Sequence, residues 1–551
     1  MENKSILLDI LNHVKNETDI SKFLFSSKAS RASLDADNDV SVKPIKNISE
    51  LSIEDVINAN LGIDFCLKTL QSNDFNGLDE YKMTACLFKW CIKITMLYLS
   101  QILPIKPTSY NENTFKTLFL DSALDNEYEN MMTFSTNIVE NEHNLSSDEV
   151  NAKYSKSEIR KKARNVLTNI KNKLLTIDNA NDVELSLPAI DAIQCPIYIS
   201  INMKSQMEKV VNQIVPDKIL VISDTDVCKH YDLACMINSF VKDSNCEIFE
   251  YIVENSNKKT PSQMLDALMF AEEKRLTKAS LIIIFGGGSV GSIGGMVAKL
   301  YFRGIKFIYV PTTLLSQIDC AIGCKHSVNG HFGKNKFGVY HLPEAVIINP
   351  LFIGTLSVDH KKSGLSEALK YGLCQSKTLM SKVINYNYTC FNIISIMDII
   401  TETIKCKLEY MKEDPYASSP ELHMEFGHKI AHALEFLSEE SMPHGICVAF
   451  GMVAEAKLFS IRFGEASDAI SMVSYITDAV KKVVSNLELS CAYTSNEIAD
   501  AVLYDNKRRK DAIPFIRLVS EQNPSVEWIA EDDVLMRQLE ESIAFARECF
   551  S

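Results

Sequence analysis

LIIIFGGGSVGSIGGMVAKLYFRG, residues 281–304, sets an apolar strand-like run directly before Gly286, Gly287, Gly288 and Gly291, and a helix-like run after them. Glycines at a strand-to-helix turn let the backbone approach a phosphate, and the helix start supplies free N–H groups and the positive end of its dipole. A tight turn without ligand is the plainer alternative, and the context favours nucleotide binding. An acid about 20 residues on, at the end of the next strand, would complete a dinucleotide site. Here that strand reads IKFIYVP and carries none. Asp224 and Asp226, in VISDTDV at the end of an earlier strand, are the candidates for a ribose contact.

Outward from this turn, the runs CPIYISI, KILVISD, CEIFEYIV, ASLIIIFGGG and IKFIYVP alternate with helix-length segments. Such alternation predicts a mostly parallel sheet. After about residue 355 the β-like runs stop, and 363–376, 391–412, 424–439, 444–463, 466–486, 495–503 and 531–549 read as helices. The expected organisation is multidomain α/β plus α: a mainly helical N-terminal region (1–190), a nucleotide-binding α/β domain (191–355) and an all-helical domain (356–551). In the first region, helical periodicity marks 51–72, 80–103 and 156–175, while 26–48 and 104–115 read as loops. Glu140, Glu142 and His143 read there as a solvated polar cluster. The role of this region stays open between interaction module, regulatory cap and dimer extension.

A length of 551 residues supports several cores, and a net charge of −14 argues against nucleic-acid or anionic-membrane partners. The N-terminal stretch MENKSILLDILNHVKNETD is too broken by charges for a secretory signal. The apolar run at 85–105 is interrupted by Lys89 and Lys93 and ended by Pro104, so a buried helix is expected. The 15 cysteines, odd in number and without a CxxC pair, read as reduced thiols in a cytoplasmic protein.

Three later stretches carry chemistry. PTTLLSQIDCAIGCKHSVNGHFGKNKFG (311–338) places Asp319, Lys325, Asn329, Lys334 and Asn335 between glycines, a set suited to an anionic, hydroxyl-rich ligand. SGLSEALKYG puts Glu367 and Lys370 three apart, a spacing that elsewhere means a surface ion pair. HMEFGHKIAH puts His428 and His432 four apart on one helix face, and His444 follows a break at Pro443. Glu367, His428 and His444 would form a carboxylate-plus-two-imidazole metal set with an open position.

GGGSVGSIGG, RGIKFIYVPTTLLSQID, GCKHSVNGHFGKN, SGLSEALKYG, EFGHKIAHALE and PHGICVAFGM, in this order and spacing, resemble the dehydroquinate synthase family of sugar phosphate cyclases across about residues 195–525. The resemblance implies a Rossmann-like NAD-binding α/β domain, a helical zinc-binding domain (zinc or cobalt as the ion) and a homodimer. It places Glu367, His428 and His444 at metal-ligand positions. Asp224, Gly287, Gly288, Ser292, Thr312, Thr313, Asp319, Lys325 and Thr355 fall at NAD positions. Lys325, Lys370, Glu425 and His432 match catalytic positions. Asp319, Arg303, Lys334, Asn335, Lys407, Glu421 and Lys507 match substrate positions, Arg303 as a phosphate contact. The implied reaction is transient oxidation by NAD, phosphate elimination, re-reduction and aldol closure of a carbocycle.

Departures from the family pattern bear on the substrate. Where the family carries an Arg and an Asn before GHxxxH, this chain has Glu421 and Glu425. An acid facing a substrate carboxylate is repulsive, which disfavours a seven-carbon ulosonate. Ser292 replaces a family acid, Cys324 a common residue before Lys325, and the late basic motif reads DNKRRKD at 505–511. EFGH with DNKR is similar to the 2-deoxy-scyllo-inosose synthases, which implies glucose 6-phosphate as substrate. The alternatives are sedoheptulose 7-phosphate, the dehydroquinate synthase reaction itself, and a catalytically inactive binder of NAD and sugar phosphate.

Overall fold

The computed structural model describes residues 112–140, 155–178, 181–190, 193–241, 246–331, 333–413, 424–439, 441–464, 467–484, 493–504 and 510–550, with isolated helical positions at 67, 84, 85, 88, 89, 91, 92 and 95. The helix expected over 51–72 and the loop over 26–48 lie outside this set, Leu67 excepted. So do Glu142 and His143. The chain forms two compact units, Met1–Ala180 with Thr389–Asn392, and Asn181–Tyr388 with Ile393–Ser551.

In the first unit, the described positions of the 80–103 segment are helical, and Ala85, Phe88, Cys91, Ile92 and Thr95 are buried. Helices follow at Glu112–Phe119, Asp125–Glu140 and Lys156–Asp178. The first of these begins inside the stretch read as a loop over 104–115. Phe115, Phe119 and Tyr128 form its aromatic core.

The second unit is built on a seven-stranded sheet. Its strands are β1 (Val183–Ile190), β2 (Ile193–Ile199), β3 (Lys218–Asp224), β4 (Glu247–Val253), β5 (Leu281–Gly286), β6 (Lys306–Pro311) and β9 (Ala345–Ile348), in the order β1-β2-β9-β6-β5-β3-β4. Only β1 runs antiparallel to its neighbour. All six residues of β5 are buried, which is why its sequence is continuously apolar rather than alternating. Between β6 and β9, β7 (Lys325–Gly330) and β8 (Gly333–Tyr340) form a separate hairpin. That segment read from sequence only as a basic loop.

Five helices position the site: α1 (Gly288–Leu300), α2 (Val358–Gln375), α3 (Ile393–Glu413), α4 (His428–Leu437) and α5 (His444–Phe463). The expectation of an all-helical region after 355 needs correction. β10 (Ala512–Ser520) and β11 (Asn523–Ala530) form an antiparallel hairpin. Its inner residues Ile513, Phe515 and Ile516 are buried. Pro514 and the hairpin's isolation between helices hid a strand that needs only one partner and a helical surface to cover it. No helix among the described residues is long and apolar enough to cross a membrane.

Candidate active site

The chain leaves β3 toward β4 and leaves β5 in the opposite direction, toward β6. The carboxyl ends of β3 and β5 therefore flank a topological switch point, where open α/β sheets bind ligands. Gly287 caps α1 without any side-chain hydrogen bond, so no capping side chain covers the first amides of the helix. A side chain at Gly288 would place Cβ 2.8 Å from Cys320 Sγ, and one at Gly291 would lie 2.1 Å from the Tyr309 hydroxyl. That hydroxyl donates to the Gly287 carbonyl at 2.9 Å. The turn thus accepts only glycine and presents bare backbone, as a pyrophosphate cradle requires.

Asp224 ends β3. It accepts from Val227 N at 2.8 Å, capping the next helix, and from Ser256 Oγ at 3.0 Å. Thr312 N donates to Gly286 O at 3.1 Å. Thr313 lies against Gly287 and exchanges a 2.8 Å hydrogen bond with Ser316. Thr355 donates to Phe352 O and meets the Tyr231 hydroxyl, each at 2.8 Å. Ser292 sits half-buried in the second turn of α1.

The metal-ligand candidates converge. One ligand atom each from Glu367, His428 and His444 lie within 4.8 Å of one another. Glu367 and Lys370, far from being a surface pair, are 1% and 2% exposed. Lys370 donates to Glu367 Oε1, while Oε2 has no hydrogen-bond partner. His428 directs Nδ1 to the Phe426 carbonyl at 3.2 Å, and His444 directs Nδ1 to Glu435 Oε1 at 2.9 Å. With both Nδ1 atoms occupied, the Nε2 lone pairs are left for a cation. A bare buried carboxylate oxygen and two oriented imidazoles fit a divalent metal with an open position. Burial keeps His428 neutral by pushing it well below the ordinary histidine value, with the Lys370 charge adding to this. Burial also pushes His444 down, but the Glu435 carboxylate reverses the effect and leaves it raised.

Asp319 stands beside this cluster. It accepts from Lys407 Nζ at 2.6 Å and from the Tyr371 hydroxyl at 2.8 Å. Burial works against its ionised form, yet Lys407 and Lys370 hold it well below the usual carboxylate range. Burial opposes the charge on Lys370, which Glu367 and Asp319 restore and strengthen. Glu425 bonds Lys429 Nζ at 3.2 Å, and its charge is felt at both Lys370 and His428. His432 lies 5.6 Å from His428 and 6.3 Å from His444, ring to ring.

From the hairpin, Lys334 reaches Glu435 at 3.0 Å, and Lys325 begins β7 in an exposed position. Asn335, at φ 53°, accepts from Lys259 at 2.6 Å and Ser327 at 2.8 Å. Arg303 is not brought to this cluster within the chain. It follows α1 at the end away from the glycine turn, and that 13-residue helix separates them by roughly 20 Å. Glu421, Lys507 and His423 lie outside the described residues.

Sequence reading missed Tyr371, Lys429, Glu435 and Glu455. Glu435 had a signal: with His428 and His432 it falls at i, i+4 and i+7, one face of one helix. Glu455 had none, being one acid on a helix whose contacts are all distant in sequence.

Residues 250–363 match the family described as 3-dehydroquinate synthase N-terminal, and 364–508 match 3-dehydroquinate synthase C-terminal. A 3-dehydroquinate synthase of Clostridium acetobutylicum is 33% identical over 264 residues, 47% of this chain and 74% of that protein. One from Crocosphaera subtropica is 29% identical over 330 residues, 59% and 89% of the two chains. The chain belongs to the 3-dehydroquinate synthase family, the sugar phosphate cyclases.

Among solved structures, 2-deoxy-scyllo-inosose synthase complexed with carbaglucose-6-phosphate, NAD+ and Co2+ shares the fold. Its TM-score is 0.58 at 22% identity, covering 65% of this chain and 99% of that one. 2-epi-5-epi-valiolone synthase from Streptomyces hygroscopicus, with NAD+ and Zn2+ bound, gives 0.53 at 18% identity, covering 66% and 99%.

Proposed function

We propose that this cyclase uses NAD and a divalent metal, zinc or cobalt, to convert glucose 6-phosphate to 2-deoxy-scyllo-inosose with release of phosphate. The observation that carries the substrate assignment is Glu425, whose charge acts on Lys370 and His428. A carboxylate there accepts hydroxyls of a neutral polyol and opposes a substrate carboxylate. Glu421 adds to this through its residue type. The 3.2 Å bond to Lys429 offsets part of the Glu425 charge, so the preference is graded rather than absolute.

Glu367, His428 and His444 would hold the metal, and Asp224, Gly287, Gly288, Ser292, Thr312, Thr313 and Thr355 would line the NAD cleft. When bound, the metal supplies Lewis acidity and NAD the redox step. The chain's own groups bind and move protons. Lys370, Lys407 and Lys334 steady anionic oxygens, Asp319 orients Lys407 and Tyr371, and His432 stands where it can take or return a proton. Asn335 and Lys325 line the hairpin side. A homodimer is the proposed assembly, tested by mass in solution. A second copy would cover the exposed Leu300 and Phe302 and could carry Arg303 toward a site.

Purified protein with NAD and Zn2+ or Co2+ is offered glucose 6-phosphate, sedoheptulose 7-phosphate and the seven-carbon ulosonate phosphate, with phosphate release and product mass followed. Turnover of glucose 6-phosphate supports the proposal; turnover of the ulosonate alone overturns the substrate. That second reading is favoured by the curated relatives, which are named 3-dehydroquinate synthases. NAD binding without turnover of any sugar would indicate an inactive binding protein.

A further inference from the structure

We propose that Glu435 is a positioning residue that couples the metal ligand His444 to the substrate-side lysine Lys334, through one shared carboxylate oxygen. His444 Nδ1 and Lys334 Nζ both reach Glu435 Oε1, at 2.9 and 3.0 Å. The side chain of Glu435 is 3% exposed, and its other oxygen, Oε2, has no hydrogen-bond partner. Two donors from different elements, α5 and β8, thus compete for one atom, although a second oxygen lies beside it.

The arrangement has two consequences. Glu435 holds His444 in the tautomer that carries its proton on Nδ1, leaving Nε2 to face Glu367 and His428. It also holds Lys334 on the metal side of the β7–β8 hairpin. With a divalent metal held by Glu367, His428 and His444, the Nδ1–H of His444 would be a stronger donor to Glu435. His444 would then take the larger share of that oxygen and weaken the Glu435 contact to Lys334, one of the interactions that set this lysine. Glu435 would thereby tie the setting of the lysine to that of the metal-ligand candidate.

This inference rests on the metal-centred reading above, and its test separates the two. Co2+ affinity is measured on the full-length chain by competition with a chelator, using the Co2+ d–d absorption, and KM and kcat on the metal-saturated enzyme. Glu435→Gln is expected to weaken Co2+ binding 10- to 100-fold, alter the d–d spectrum and raise KM for the sugar phosphate. Lys334→Met is expected to raise KM while binding Co2+ at least as tightly as the parent, since His444 then has the oxygen to itself. In the double variant, KM should be no worse than in Lys334→Met alone.

Parental Co2+ affinity in Glu435→Gln overturns the proposal, as does equal metal loss in Lys334→Met or full additivity of the two KM effects. If Glu435→Gln does not fold, Glu435→Asp, which keeps the charge but is one methylene too short to bring an oxygen to both donors, is judged by the same criteria. His428→Asn guards the underlying reading. Unchanged Co2+ affinity there removes the metal centre itself, whereas loss there with none in Glu435→Gln removes only this inference.

Discussion

Gly445 lies against the backbone of Ser363. Its amide donates to Ser363 Oγ at 2.9 Å, and a side chain at Gly445 would put Cβ 1.9 Å from the Ser363 carbonyl oxygen. Gly445 follows His444, and Ser363 is one turn before Glu367. Two of the three metal-ligand candidates are therefore held by a helix-to-helix contact that only glycine permits. Gly451 on α5 makes the matching contact with Gly427, where Cβ would meet the Gly427 carbonyl oxygen at 1.9 Å. Gly427, at φ 80°, leads directly into His428.

Gly445→Ala should push α5 from α2 and spread the ligand set. Overpacking at such a contact costs about 1–3 kcal/mol. The expected outcome is a lower unfolding midpoint together with at least a tenfold loss of Zn2+ affinity. Metal affinity equal to that of the parent would show that the contact does not set the ligand geometry.

Lys370→Met removes the cation paired with Glu367 and one of the two that act on Asp319. Truncating one partner of a buried pair costs about 3–5 kcal/mol, so the variant should lose stability. It should regain part of that loss when Zn2+ is added, because the ion replaces the missing charge beside Glu367. Thermal melts with and without Zn2+ test this, and an equal drop under both conditions counts against it.

Gly291→Ala meets the Tyr309 ring on β6 at atom distances of 2.1–2.7 Å. The start of α1 must shift away from the glycine turn. NAD affinity, measured by titration calorimetry, should fall more than tenfold, while metal affinity stays at the parental level. A parallel loss of both would point to general unfolding.

Glu455 is fully buried, and the backbone amides of Gly427, Ile516 and Lys429 face its carboxylate. Burial raises it to about 8, against the pull of the Gly427 amide and the Lys429 charge. In the unfolded chain it titrates near the ordinary glutamate value, about 4.3. Between these values the folded chain binds more protons than the unfolded one, so stability falls as pH rises. The limiting slope is about 1.4 kcal/mol per pH unit from this one group. Urea midpoints between pH 5 and pH 8 should decline less steeply in Glu455→Gln than in the parent; parallel declines would refute the assignment.

Every described candidate residue of the site belongs to the second unit. Deletion of residues 1–180 should therefore leave phosphate release within about threefold of the parent, an order-of-magnitude expectation based on the independence of separate compact units. Loss of turnover in a folded, metal-binding truncation would assign a catalytic or regulatory part to the first unit.

Much of this protein was legible in one dimension. The buried strand β5, the glycine turn and α1 follow from a short apolar run and residues without Cβ. The helices carrying Glu367, His428 and His444 follow from apolar periodicity, because burial of one face imposes a local repeat. The pairing of His428 with His432 is a matter of spacing four on one helix.

Only the tertiary structure decided the rest. It turned Glu367 and Lys370 from a surface pair into a buried one, since burial depends on what packs above a helix face. It folded the basic loop into β7–β8 and closed β10–β11, because a strand exists only through its partner. It kept Arg303 at the far end of α1 from the glycine turn. It set His444 and Lys334 on one oxygen of Glu435, and α5 against α2 through Gly445 and Ser363. Those relationships join atoms far apart in the chain, and through-space geometry is not encoded in any local pattern of residue types.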